Sequence, residues 1–124
     1  MRSLILLLTA LPLSAQTPAR NYFFGDSLSD TGNIASIIGI GSGYPGDSFT
    51  NGTTWVGYFD PNAMLLLESL SAETQLLSLA NSVDLSAGAA TTSTVLNQQI
   101  RALFLPASAN HLANANDRAF IWAG

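Results

Sequence analysis

The chain has 124 residues with no cysteine and no lysine, and its four cations, Arg2, Arg20, Arg101 and Arg118, are outnumbered by eight acidic side chains for a net charge of −4. That balance excludes a basic nucleic-acid face and implies no polyanionic partner; the acids are scattered, so the charge speaks for solubility. With one histidine, His111, and no thiol, the usual ligands of a zinc or iron site are missing, no metal or cofactor is expected, and no disulfide can staple the core.

Arg2 supplies a positive end, Leu4 to Leu13 an apolar run and Ser14-Ala15 a small-residue cleavage region, so residues 1–15 read as a signal peptide and the product as secreted. The apolar run contains Pro12 and falls short of the roughly 20 residues needed to cross a bilayer, so no stable membrane span is expected. Residues 16–124 then make one small domain. Asn21 to Phe24 is short, aromatic and bounded by Gly25, the signature of a buried strand, and Ser29 or Asp30 can cap a helix beginning just after it. Between them Ser27 is a hydroxyl lifted at the carboxyl end of a strand, where the N–H groups of a following helix can hold an anion.

Ile34, Ile37 and Ile38 have helical spacing, and the glycines from Gly39 to Gly46 end that helix in a loop. Gly41, Gly43 and Gly46 match a dinucleotide-binding spacing but lack the strand before and the helix after that the motif requires, so no nucleotide site is expected. Asn51-Gly52-Thr53 is an N-glycosylation sequon, in competition with a buried structural role for Asn51. Trp55, Tyr58 and Phe59 are expected to share one helical face and to serve chiefly as core. The leucine-rich span from Ala63 to Leu79 predicts a helix followed by a short extended segment. From Thr91 to Phe104, Val95, Leu96, Ile100, Leu103 and Phe104 fall on one side of a helix, with Asn97, Gln98 and Arg101 on the other, and Pro106 is expected to stop it. Ala107 to Asn116 reads as surface, and Arg118 to Ala123 as a second buried strand. The alternation of strands and helices points to an α/β fold with a parallel sheet.

The run Phe24-Gly25-Asp26-Ser27-Leu28-Ser29-Asp30-Thr31-Gly32-Asn33 resembles the first sequence block of the GDSL, or SGNH, family of serine lipases and esterases. The runs Phe49-Thr50-Asn51-Gly52-Thr53-Thr54-Trp55-Val56 and Ser86-Ala87-Gly88-Ala89-Ala90-Thr91-Thr92 resemble further stretches of its lipase-like members. The resemblance implies a three-layer α/β/α sandwich with a parallel sheet, of which residues 16–124 correspond to the N-terminal portion. It implies Ser27 as nucleophile, with Gly25 and Asp26 shaping its turn. The oxyanion hole would use the N–H groups of Ser27 and of Gly88, or of Ala89 if the register is one residue later. Asn51, Gly52 and Trp55 would lie beside the cleft.

Phe120-Ile121-Trp122-Ala123-Gly124 resembles the strand leading into the family's Gly-x-Asn-Asp motif, with Gly124 its first residue. That asparagine and the later Asp-x-x-His block, which would supply base and acid, are not among these residues. His111 has no aspartate three residues before it and reads as a surface side chain. The expected function is therefore that of a secreted hydrolase of lipid, carbohydrate or other small-molecule esters through a Ser27 acyl-enzyme, incomplete and inactive as the sequence stands. The alternative is a non-catalytic secreted binding protein that keeps part of the fold.

Overall fold

The computed structural model of the chain describes residues 19–39, 47–70, 77–109 and 115–123. The expected signal peptide, the glycine loop from Ile40 to Gly46, His111 and Gly124 lie outside them. The elements in order are β1 (Asn21–Gly25), α1 (Asn33–Ile38), α2 (Trp55–Phe59), β2 (Met64–Leu65), β3 (Val83–Asp84), α3 (Thr92–Thr94), a π-helical segment (Val95–Phe104), α4 (Leu105–Ser108) and β4 (Arg118–Trp122). The strands form one sheet in the order β2-β3-β1-β4, and every neighbouring pair is parallel. The α/β reading with a parallel sheet therefore holds.

β1 organises the sheet because alternate side chains leave it on opposite faces and both faces are covered. Phe23 is fully buried on one face, its ring stacked on Phe120 at 5.2 Å between centroids and edge-on to Trp55 at 5.5 Å and Phe59 at 6.0 Å. Tyr22 and Phe24 leave the other face and meet Phe104 of the π-helical segment at 5.1 and 5.2 Å. Val83, Leu85, Val95, Leu77 and Leu79 complete the main core there. Burying each such side chain stabilises the fold by about 2 kcal/mol. With α2 over one face and the π-helical segment over the other, the described residues form a helix–sheet–helix arrangement.

At the opposite end of the sheet from Gly25, Arg20 and Asp117 join the starts of β1 and β4. The Arg20 Nε and Nη2 donate to the two carboxylate oxygens at 3.0 and 2.8 Å, and the Arg20 amide adds a bond at 3.1 Å. Planar, two-point pairing of this kind fixes direction as well as distance.

Several local expectations are corrected. Residues 63–70 are not helical: Met64 donates its N–H to Ser82 O at 2.9 Å, β2 pairs with β3, a turn follows over Leu66 to Ser69, and Leu70 bridges Leu77. An apolar run this short fits strand or helix equally, and the vacant side of β3 decided it. Ile37 and Ile38 of α1 are exposed, and the helix buries Asn33 and Ala35 instead. Tyr58 is 77% exposed, so only Trp55 and Phe59, one turn apart, share the packed face of α2.

The predicted helix after Thr91 begins as expected, with the Thr91 hydroxyl accepting from Thr94 N. It then widens into a π register that sets Val95 and Gln99 on the buried side and leaves Leu96 exposed. Pro106 does not stop it, because helical structure runs on to Ser108 and Ala107 is buried. Leu105 N still bonds back five residues to Ile100 O, whereas Ala109 N bonds back four to Leu105 O. Pro106, which has no N–H to place in either register, stands where one gives way to the other. β4 forms where a second strand was expected, but among the described residues it lies at the edge of the sheet and is not buried: Phe120 is half-covered, and Ile121 and Trp122 are 61% and 53% exposed.

Gly25 ends β1 where there is no room for a side chain. A Cβ there would stand 2.7 Å from Trp122 O and 2.8 Å from Ser29 Oγ. Its N–H donates to Gln99 Oε1 at 2.9 Å, while its carbonyl accepts from Gln99 Nε2 at 2.8 Å and Ala87 N at 3.1 Å. Gly25→Ala must push β1 from β4, and a loss of about 1–3 kcal/mol is expected from urea denaturation, read as a lower midpoint with unchanged slope.

Candidate functional site at the carboxyl end of the sheet

The residues after β1 turn sharply because the Asp26 carbonyl accepts from Ser29 N and Asp30 N at 3.0 and 3.1 Å, and the Asp26 carboxylate accepts from Leu28 N at 3.0 Å. This is the aspartate turn expected of that position. Ser27 sits at its crest, half-buried, and among the described residues neither its N–H nor its hydroxyl has a hydrogen-bond partner. Ser29 beside it is fully buried and accepts from the Trp55 indole N–H at 3.0 Å.

Asp30 is fully buried and receives only backbone donors. Oδ1 accepts from Gly32 N at 2.8 Å and Asn33 N at 2.5 Å, and Oδ2 accepts from Ile34 N at 3.3 Å and Gly88 N at 2.7 Å. Because the residue at the N-cap of α1 is Gly32, which has no side chain, Asp30 satisfies the first amides of the helix from two positions earlier. Its remaining lone pair reaches the turn after β3.

That turn is held from both ends. Ala87 N donates to Gly25 O, and Ala90 N closes back on Ala87 O at 3.1 Å. With Gly88 N committed to Asp30, the amide left open in the turn, among the described residues, is that of Ala89. Ala89 has φ of 62°, a left-handed conformation that side-chain-bearing residues adopt at a cost. Of the two candidate oxyanion donors in this turn, Gly88 is engaged and Ala89 is available. The Phe49 ring covers Gly88 so closely that a Cβ there would overlap it.

The three motif-bearing stretches thus meet at one end of the sheet. Ser27 and Asp30 come from the first, Phe49 and Trp55 from the second, and Gly88 and Ala89 from the third. Asn51 and Gly52 do not join them: both are exposed, which removes the buried role for Asn51 and leaves its sequon accessible.

Sequence reasoning gave no role to three buried polar residues that hold this end together. Asn33 donates through Nδ2 to the carbonyls of Asp84 and Ser86, both at 2.8 Å, and accepts from Leu66 N at 2.7 Å. Asp84, at the end of β3, accepts from Thr31 N and Oγ1 at 3.0 and 2.6 Å and from Ser86 N at 2.9 Å, with the Ser86 hydroxyl as a further close donor. Gln99 clasps Gly25 from the helical layer. A polar residue within an apolar pattern was the one available signal. Among the described residues no cluster of histidine and acidic side chains could hold a metal ion, and no helix is long and apolar enough to cross a membrane.

No protein-family model and no curated protein matches the chain.

Burial pushes the Asp84 carboxyl above its ordinary value of 3.8, opposed by the hydrogen bonds from Ser86 and Thr31. The folded state then keeps this proton to higher pH than the unfolded chain. Its stabilising contribution is full below 3.8 and is lost as pH rises through the folded value. Urea titrations from pH 3 upward should show wild type losing stability relative to Asp84→Asn across that window. Ala89→Gly should raise stability by about 1 kcal/mol by relieving the left-handed alanine, measured as a higher urea midpoint.

Proposed function

We propose that the chain carries the nucleophile side of a secreted serine ester hydrolase acting on lipid, acyl or acetyl esters through a Ser27 acyl-enzyme. The observation that carries this reading is the pairing of an unengaged Ser27 at the crest of its turn with an adjacent turn that keeps the Ala89 amide open. In the reaction Ser27 Oγ adds to the ester carbonyl while its proton passes to a base. The oxyanion is met by the N–H groups of Ser27 and Ala89, and collapse expels the alcohol. Water then cleaves the acyl-enzyme by the same steps.

A serine hydroxyl is a weak nucleophile until its proton is taken, and none of the described residues offers a histidine to take it. The 124-residue chain should therefore show little Ser27-dependent hydrolysis of a short-chain p-nitrophenyl ester. Added imidazole should raise the rate in wild type above that in Ser27→Ala, because it supplies the base. Equal rates in the two proteins at every imidazole concentration would remove the hydrolase reading, and high Ser27-dependent turnover without imidazole would show that a base is already in place.

A second reading, a secreted binding protein that keeps the fold without the chemistry, draws support from the Gly88 amide being spent on Asp30. Retention of an ester ligand without imidazole-dependent turnover would favour it.

A further inference from the structure

Asn51-Gly52 is the one place in the sequence where glycine follows asparagine. The pair lies in the bend between Phe49 and the Thr54 cap of α2, and both residues are exposed. Among the described residues the Asn51 side chain has no hydrogen-bond partner. The Gly52 N–H reaches only the Thr50 hydroxyl, at 3.4 Å, beyond the usual range of such a bond. Apart from its chain neighbours, no atom stands within 4 Å of the place a Gly52 Cβ would take, so nothing crowds rotation of the backbone there. Other asparagines are held differently. Asn33 is fully buried and spends its Nδ2 on two carbonyls, Asn81 Nδ2 donates to Met64 Sδ, Asn97 Nδ2 donates to the Ser93 hydroxyl, and Asn62 is followed by alanine.

We propose that Asn51 is a site of spontaneous covalent modification, converted through a cyclic imide to aspartate and isoaspartate with water as the only co-reactant. The Gly52 amide loses its proton, and its nitrogen adds to the side-chain carbonyl carbon of Asn51. The Cγ–Nδ2 bond then breaks, ammonia leaves with the proton, and a succinimide ring joins the two residues. Gly52 suits the nucleophile because it has no Cβ to meet the Asn51 side chain as the ring closes. Water adds to either ring carbonyl. Opening at one returns an ordinary aspartate, and opening at the other leaves the main chain running through the side-chain carbon as isoaspartate. In sum, an amide and water give a carboxylate and ammonium. Conversion adds a negative charge, and isoaspartate lengthens the main chain between the Phe49 ring, which covers Gly88, and Thr54, whose hydroxyl caps α2. It also removes the nitrogen that a glycan would occupy, so conversion and glycosylation exclude each other at this residue. The inference uses only the bend and is independent of the hydrolase reading.

The 124-residue chain, incubated at mildly alkaline pH and mapped by peptide mass spectrometry, should show conversion at Asn51. Both aspartate and isoaspartate should form, with oxygen-18 taken up from labelled water, and the rate should rise with pH because the attacking amide must be deprotonated. Gly52→Ala, which has open space for its methyl group, should slow conversion by about 10-fold, equal to about 1.4 kcal/mol on the barrier. The guanidinium-unfolded chain should convert at a rate similar to the folded one, because the fold restrains neither reacting group. A folded rate slower by more than about 10-fold would show the pair to be held and would overturn the proposal. Conversion as fast at Asn33, Asn62 or Asn81, an unchanged rate in Gly52→Ala, or aspartate as the only product would each overturn it as well.

Discussion

The carboxylate of Asp30 is the constraint on which the geometry of the site depends. A buried charge without partners is expensive, and Asp30 offsets that cost by collecting backbone N–H groups from two separate stretches of chain. In doing so it starts α1, whose N-cap glycine has no side chain to offer, and ties that start to the turn after β3. Asn33 and Asp84 form a second tie beneath it, running in the opposite sense from side chain to backbone. Among the described residues Ser27 itself makes no hydrogen bond, so its position is inherited from these neighbours.

Much of the site's frame was legible in the residues after Tyr22. An aromatic strand, a glycine that ends it, an aspartate that folds the turn and a second aspartate that caps a helix are all local chemistry, and local chemistry is what a sequence displays. The partner of Asp30 was not legible, because Gly88 is 58 positions away and a backbone amide leaves no mark in the sequence. The burial of Asn33, Asp84 and Gln99 was hidden for a related reason: each looks like an ordinary polar residue until the carbonyls, hydroxyls or amides that satisfy it are brought together. The fate of Met64 and Leu65 turned on competition of another kind. Their leucine-rich surroundings fit a helix, but a vacant sheet edge at β3 offered backbone pairing as well as burial. The helix after Thr91 was visible by its apolar period, while its wider register was not, since that register buries the polar Gln99 and leaves Leu96 exposed.

The two faces of the sheet are finished to different degrees. The face of Tyr22 and Phe24 is closed by the helical layer and contains most of the buried apolar side chains. The face of Phe23 and Phe120 is an aromatic cluster covered by a helix of only five residues, and it opens directly onto the edge strand. The candidate site lies where these two conditions meet, with rigid packing behind Gly25 and solvent in front of Ser27. That contrast lets one end of the sheet hold a strained alanine while its outer strand remains poorly covered.

The bond between Arg20 and Asp117 joins residues 97 positions apart, and the partner strands of β1 come from residues 83–84 and 118–122. β1 therefore meets its β4 partner only once residues as far as Trp122 have been made. Topologies dominated by such distant pairings lose much loop entropy before any contact repays it, and they fold slowly. For this chain that means a long interval in which Tyr22, Phe23 and Phe24 travel unshielded. Its yield in a cell should be governed as much by the chaperones that meet that tripeptide as by the stability of the finished sheet.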